Sequence, residues 1–297
     1  MELCGGHAVR RRGWGLALMA ATVSLAVALP AAPARAAGGP SGITTKGAYL
    51  LDSGTNRSLW AKAADTRREM ASTTKVMTAV VVLETRGLNL DKRVTVKQSY
   101  RDYAARYGAS SADLRTGDKL TVRQLLYGLM LPSGCDAGYA LADTFGTGAT
   151  TAGRTRSFIA RMNARAGSLG LSRTHYDSFD GIAHGRNYTT PRDLVRLARH
   201  ALQNRTFTTI VQTARTRQRA ANVHRTYTWY NTNQLLGSYR GAVGIKTGTG
   251  SRSGYCLVFA AKRGKRTVVG ALLNDAYRFR DAARMLDFAF RSRAGTG

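Results

Sequence analysis

Ser72 and Lys75 stand three residues apart at the head of an apolar run, Val76-Met77-Thr78-Ala79-Val80-Val81-Val82-Leu83-Glu84. A serine hydroxyl is a poor nucleophile at neutral pH, and a neighbouring amine activates it only while that amine is partly unprotonated. On a helix, residues three apart share one face, so the pair reads as nucleophile and base for acyl transfer. Taken alone, a serine at the start of such a run is most often only a helix N-cap. Two downstream groups, Ser133-Gly134-Cys135 and Lys246-Thr247-Gly248, argue against that. Lys246 supplies a second cation, which together with burial drives a neighbouring lysine toward its neutral form. Backbone N–H groups at a helix N-terminus add positive potential where an oxyanion forms. On an edge strand, Gly248 removes a side chain that would hold an extended substrate away.

The elements that must position these groups follow from periodicity. The run after Ser72 lacks Gly and Pro and reads as a buried helix, although its β-branched residues equally allow a strand. Gly47–Asp52, Tyr255–Arg263 and Arg266–Leu273 read as strands, the last two joined at Gly264. Val122–Met130, Ala137–Phe145, Arg154–Ala166, Pro191–Leu202 and Phe279–Arg291 carry apolar faces at helical spacing. This predicts a catalytic domain over 37–297, with an α/β region from both chain ends (about 44–87 and 205–297) and a helical region inserted at about 88–204. The three motifs would meet at their junction.

In this order, the motifs resemble those of the penicillin-recognising serine enzymes. From about Ala48 to Phe290 the chain resembles the low-molecular-weight D-alanyl-D-alanine peptidases, the serine-type penicillin-binding proteins that trim or cross-link peptidoglycan stems. The likeness rests on 71–79, 130–137, Asp180-Gly181, 190–194 and 244–249 as well as the motifs themselves. It implies a β-lactamase/transpeptidase-like α/β fold, an antiparallel sheet flanked by helices with an inserted all-helical region. By the same resemblance Ser72 forms the acyl-enzyme, Lys75 is the general base, and Ser133 with Lys246 relays a proton to the leaving D-alanine. Backbone N–H groups of Ser72 and Thr249 would form the oxyanion hole, and Thr247 with Arg278 would hold the substrate carboxylate. Stem peptides are then the substrates and β-lactams the inhibitors, with no cofactor and no metal.

The family usually carries Asn at the third position of the middle motif, and here it is Cys135. A thiol is a weak donor and acceptor, so orientation of the substrate amide would differ. Cationic neighbours would lower the thiol's pKa; alternatively Cys135 is a small packed residue. The Ser-Gly-Cys motif is similar to that of one Streptomyces DD-transpeptidase type, which makes cross-linking the alternative to a carboxypeptidase reading. Cys256 lies in an apolar run and reads as a core thiol. His175, His184, His200 and His224 show no zinc spacing.

Arg10-Arg11-Arg12, the apolar stretch Leu16–Leu29 and Ala34-Arg35-Ala36 predict a secretory signal over 1–36, too early for Cys4 to be lipidated. An Ala/Pro/Gly-rich linker, Pro30–Gly42, follows. The apolar stretch, about 21 Å as a helix, is short of the hydrocarbon core of roughly 30 Å. The chain stops soon after Phe290, which predicts no amphipathic membrane anchor. Net charge is +28, or +25 once the four arginines and Glu2 of 1–36 are removed. So basic an exported domain would meet anionic wall polymers, although 36 arginines against 9 lysines also fit a compositional bias. Export and the lack of a recognition motif exclude nucleic acid. A β-lactamase lacks its deacylating glutamate, since none follows Glu84. An intact nucleophile and both lysines oppose a purely wall-binding module.

Overall fold

The computed structural model describes residues 38–182 and 185–291. The expected signal 1–36 with Cys4, the first part of the linker, and His184 lie outside the described residues.

Five antiparallel strands form the main sheet in the spatial order Ser58–Lys62, Gly47–Asp52, Arg266–Asp275, Gly254–Arg263, Ala242–Gly250. The two chain ends are thus stitched together, with Gly47 opposite Leu273 and Leu51 opposite Val269. The strands are apolar on both faces because both faces are covered. Leu50, Leu257, Phe259 and Leu272 pack on the C-terminal helix Arg278–Arg291, which returns Ala282, Met285, Leu286 and Ala289. Tyr49, Leu51, Val258 and Val269 face the larger core, shared with the inserted helices.

At the centre of that core runs the helix Lys75–Leu83, buried from Lys75 to Val82. The ambiguous β-branched run is therefore helical, because a segment enclosed on every side gains more from packing than it loses in propensity. The helix does not begin at Ser72. Ala71–Thr74 form a preceding 3-10 turn, in which the Thr73 and Thr74 hydroxyls donate to the Met70 and Ala71 carbonyls at 2.7 and 2.8 Å. Side chains three apart eclipse in that geometry, which aligns Ser72 with Lys75.

Val122–Met130 is helical as expected, and the next helix starts earlier than predicted, at Cys135, running to Phe145. Thr151–Ser168 and Pro191–Ala201 complete the expected set, each opened by a threonine whose hydroxyl accepts a backbone N–H. Helices Gln98–Arg106 and Arg205–Gln212 and the hairpin Arg215–Arg219/Thr226–Tyr230 were not read from the sequence. Among the described residues no helix is long and apolar enough to cross a membrane.

Candidate active site

Ser72 lies at the mouth of a cleft of about 370 Å³, also lined by Glu69, Tyr107, Cys135, Ile182, Thr249 and Arg252. Beneath it Lys75 is fully buried and its ammonium meets three acceptors: Ser72 Oγ at 2.9 Å, Cys135 Sγ at 3.3 Å and the Asp180 carbonyl at 2.9 Å. A lysine ammonium has three donors, so all are used. The first of the predicted pairings, serine with lysine, is thus met in space.

The middle motif reaches the site through a tight loop. Ser133 takes a positive φ of 66° and is buried, and its Oγ has no hydrogen-bond partner among the described residues. A Cβ at Gly134 would stand 2.7 Å from the Ala112 backbone nitrogen, so the loop 110–114 closes onto the motif only over glycine. Asp136 pins that loop: its carboxylate accepts from the backbone N–H groups of Ala112 (2.8 Å), Leu114 (3.0 Å) and Ala137 (2.9 Å), and from the Ser111 hydroxyl (2.7 Å).

The third motif lies on the edge strand Ala242–Gly250, as its chemistry required. Lys246 is fully buried, donating to the Thr247 carbonyl at 3.1 Å. Burial, reinforced by the charge of Lys75, holds its amine well below the ordinary lysine range. Thr247 Oγ1 lies 2.6 Å from Thr232 Oγ1. Gly248 is needed for a reason other than the one read from sequence: a Cβ there would meet Met70 O at 2.9 Å and Ser72 N at 3.2 Å. The glycine brings the edge strand against the serine turn. Arg278 Nη1 donates to the Gly248 carbonyl and to Thr249 Oγ1, both at 2.8 Å, and its guanidinium lies over Tyr255.

Of the two readings open for Cys135, the buried and packed one fits. Burial pushes its thiol up to about 12, outweighing the opposing pull of Lys75, so the cationic neighbourhood does not make it a reactive thiolate. Only 2% of the residue is exposed. Cys256 is also a free, fully buried thiol.

The described histidines serve elsewhere. His200 Nε2 lies 2.5 Å from Glu84, His175 Nδ1 lies 2.7 Å from the Arg186 carbonyl, and His224 pairs with Arg219. Among the described residues no cluster of three His, Cys, Asp or Glu converges as a metal site.

Residues 34–276 match the family model of D-alanyl-D-alanine carboxypeptidase. The chain belongs to the D-alanyl-D-alanine carboxypeptidase family. It is 49% identical to the D-alanyl-D-alanine carboxypeptidase of Streptomyces sp. (strain K15), over 94% of this chain and 98% of that one. To the Bacillus subtilis D-alanyl-D-alanine carboxypeptidase DacF it is 30% identical, over 82% of this chain but only 62% of that longer protein. Its fold matches the crystal structure of the Streptomyces K15 DD-transpeptidase at a TM-score of 0.83 and 51% identity, covering 86% of this chain and 99% of that one. The expected fold class is that of these neighbours.

Within the carboxypeptidase site, several contributors escaped sequence reading. Asp180 acts through its backbone carbonyl, which has no side-chain signature. Asp136 lies within 130–137 but carries no chemical signature of its own there, and Thr232 lies outside every motif. Glu69 and Arg252 pair across the cleft rim at 2.9 Å, although the sequence separates them widely.

Proposed function

We infer that the chain is a penicillin-sensitive serine carboxypeptidase that removes the terminal D-alanine from peptidoglycan stem peptides through a Ser72 acyl-enzyme. The observation that carries this reading is the 2.9 Å contact between Lys75 Nζ and Ser72 Oγ. With Lys75 as the free amine, its two N–H donors stay with Cys135 Sγ and the Asp180 carbonyl. The lone pair then points at Ser72 Oγ, ready to take its proton. Ser72 Oγ adds to the carbonyl of the penultimate D-alanine, and the negative oxygen that forms is met by the N–H groups of Ser72 and Thr249.

Breaking the C–N bond needs a proton on the departing amine. Ser133 Oγ, buried without a partner among the described residues, passes one on and is resupplied with the proton that Lys75 took from Ser72, handed on through Lys246, whose lowered pKa lets its amine accept and release it. Thr247 and Arg278 hold the terminal carboxylate. Water then attacks the Ser72 ester, releasing the shortened peptide and restoring the hydroxyl.

Cross-linking is the second reading, because the structural neighbour above is named a DD-transpeptidase. The two differ only in what attacks the ester. Incubation with a diacyl-D-Ala-D-Ala peptide, with and without a glycine-type amine, separates them. Free D-alanine and the hydrolysed peptide are expected to dominate in both. A product carrying the amine as the main species would replace hydrolysis by transpeptidation, and no D-alanine release would refute both.

The reading extends to location: export by 1–36, followed by retention on anionic wall polymers. In its favour, Arg215, Arg217 and Arg219 are exposed on one face of their strand while Tyr227 and Trp229 fill the other face of the hairpin. Alternate residues on a strand stand about 7 Å apart. No Asp or Glu occurs between Asp193 and Asp275 to neutralise them. Retention on isolated walls is expected to fall steeply as salt shortens the Debye length from about 10 to about 3 Å. Walls stripped of phosphate polymers should retain less. Binding indifferent to both treatments would return the charge to compositional bias.

A further inference from the structure

The steps above use the carbonyl of Asp180 and leave its side chain without a task. That side chain is fully buried and ionisable, a costly arrangement unless both carboxylate oxygens are satisfied. Oδ1 accepts from the Ile182 N–H at 3.0 Å and from the Tyr103 hydroxyl at 3.3 Å. Oδ2 is buried with no partner among the described residues.

Beside it, Cys135 has the complementary need. Its sulfur accepts from Lys75 Nζ at 3.3 Å, and its S–H stands 4.0 Å from the Ser133 carbonyl, too far for a useful bond. The carboxylate is close enough to add to the rise in the thiol's pKa. The other titratable groups around the thiol are Lys75 from the central helix, Lys246 from the edge strand and Tyr103 from the helix Gln98–Arg106.

We propose that Asp180 is a positioning residue for the base: its free Oδ2 takes the Cys135 S–H, which turns the sulfur lone pair toward Lys75 Nζ. One residue then fixes the amine from two sides, directly by its carbonyl and through the thiol by its carboxylate. On this view the cysteine faces Asp180 and Lys75, and its place in the motif is to relay orientation from a carboxylate to an amine. The proposal rests on the reading of Lys75 as the base for Ser72.

The test is a double-mutant cycle on penicillin acylation in the full chain, at saturating penicillin. Asp180→Asn keeps an Oδ1 acceptor for Ile182 and Tyr103 but loses the charge that draws the S–H. It is expected to slow acylation about tenfold or more in the wild type and less than about threefold in Cys135→Ala, since residues acting through one another are not additive. Equal losses in the two backgrounds would overturn the proposal. In a background with Cys4 and Cys256 replaced by alanine, the Cys135 thiol, followed by its thiolate absorbance, should titrate at lower pH once Asp180→Asn removes the carboxylate charge. An unchanged titration would also overturn it.

If Asp180→Asn does not fold, Cys135→Ser against Cys135→Ala decides the matter. A hydroxyl can donate to Asp180 and accept from Lys75, so serine should acylate about tenfold faster than alanine, and equality refutes the relay. Ser72→Ala, run alongside, separates the two levels. Labelling retained there removes the reading of Ser72 itself, whereas normal loss there with additive Asp180 and Cys135 effects removes only the relay.

Discussion

Ser72→Ala is expected to abolish covalent labelling by a fluorescent penicillin, while the wild-type penicilloyl adduct persists in intact-mass spectra. Removing the nucleophile of a serine enzyme costs on the order of a millionfold in turnover, and no neighbour can stand in here. Ser133 is buried behind a loop with its hydroxyl unpartnered among the described residues, and the Cys135 thiol is held protonated by burial. The adduct is expected to persist because, among the described residues, no glutamate is free to activate water and the Asp180 carboxylate is fully buried. Glu69 is tied to Arg252, and Glu84 to Arg165 and His200. Labelling of the alanine variant would remove Ser72 from the mechanism. Rapid recovery of free wild-type enzyme would show that some other group serves as the deacylating base.

Lys75→Met is expected to slow acylation by about two to four orders of magnitude, the usual contribution of a positioned base. Methionine fills much of the same buried volume without a charge, so the variant should stay folded. Ser72 Oγ then has no proton acceptor, and Cys135 Sγ and the Asp180 carbonyl lose their shared donor. Stopped-flow acylation alongside thermal melting separates lost chemistry from lost structure. A folded variant that acylates at the wild-type rate would exclude Lys75 as the base.

Much of this arrangement was written in local sequence. The three motifs carried their own chemistry, and the strands from both chain ends carried an apolar pattern strong enough to place them in one sheet. The rest depended on neighbours that no local window contains. The helical state of Lys75–Leu83 was decided by enclosure, since its β-branched residues permit either conformation. The sign of the Cys135 shift depends on how much water the site excludes, and a list of nearby cations does not reveal that. The hairpin Arg215–Arg219/Thr226–Tyr230 hid because only Tyr227 and Trp229 mark its inner face, too few apolar residues to show alternation. Gly248 was singled out correctly as necessary, but its neighbour proved to be the serine turn, a contact visible only in three dimensions.

The sheet stitched from the two chain ends has a kinetic consequence. Gly47 lies opposite Leu273, and the strand bearing Lys246 is attached through Gly254–Arg263, so nearly the whole described chain must be available before the sheet is complete. Such non-local pairings close slowly, because loop entropy is lost before the contacts repay it. Ser72 and Lys75 can meet early within one helical segment, whereas the strand that completes the cleft arrives last. A chain still emerging from a ribosome therefore has its nucleophile but no cleft, and catalytic competence coincides with the end of folding.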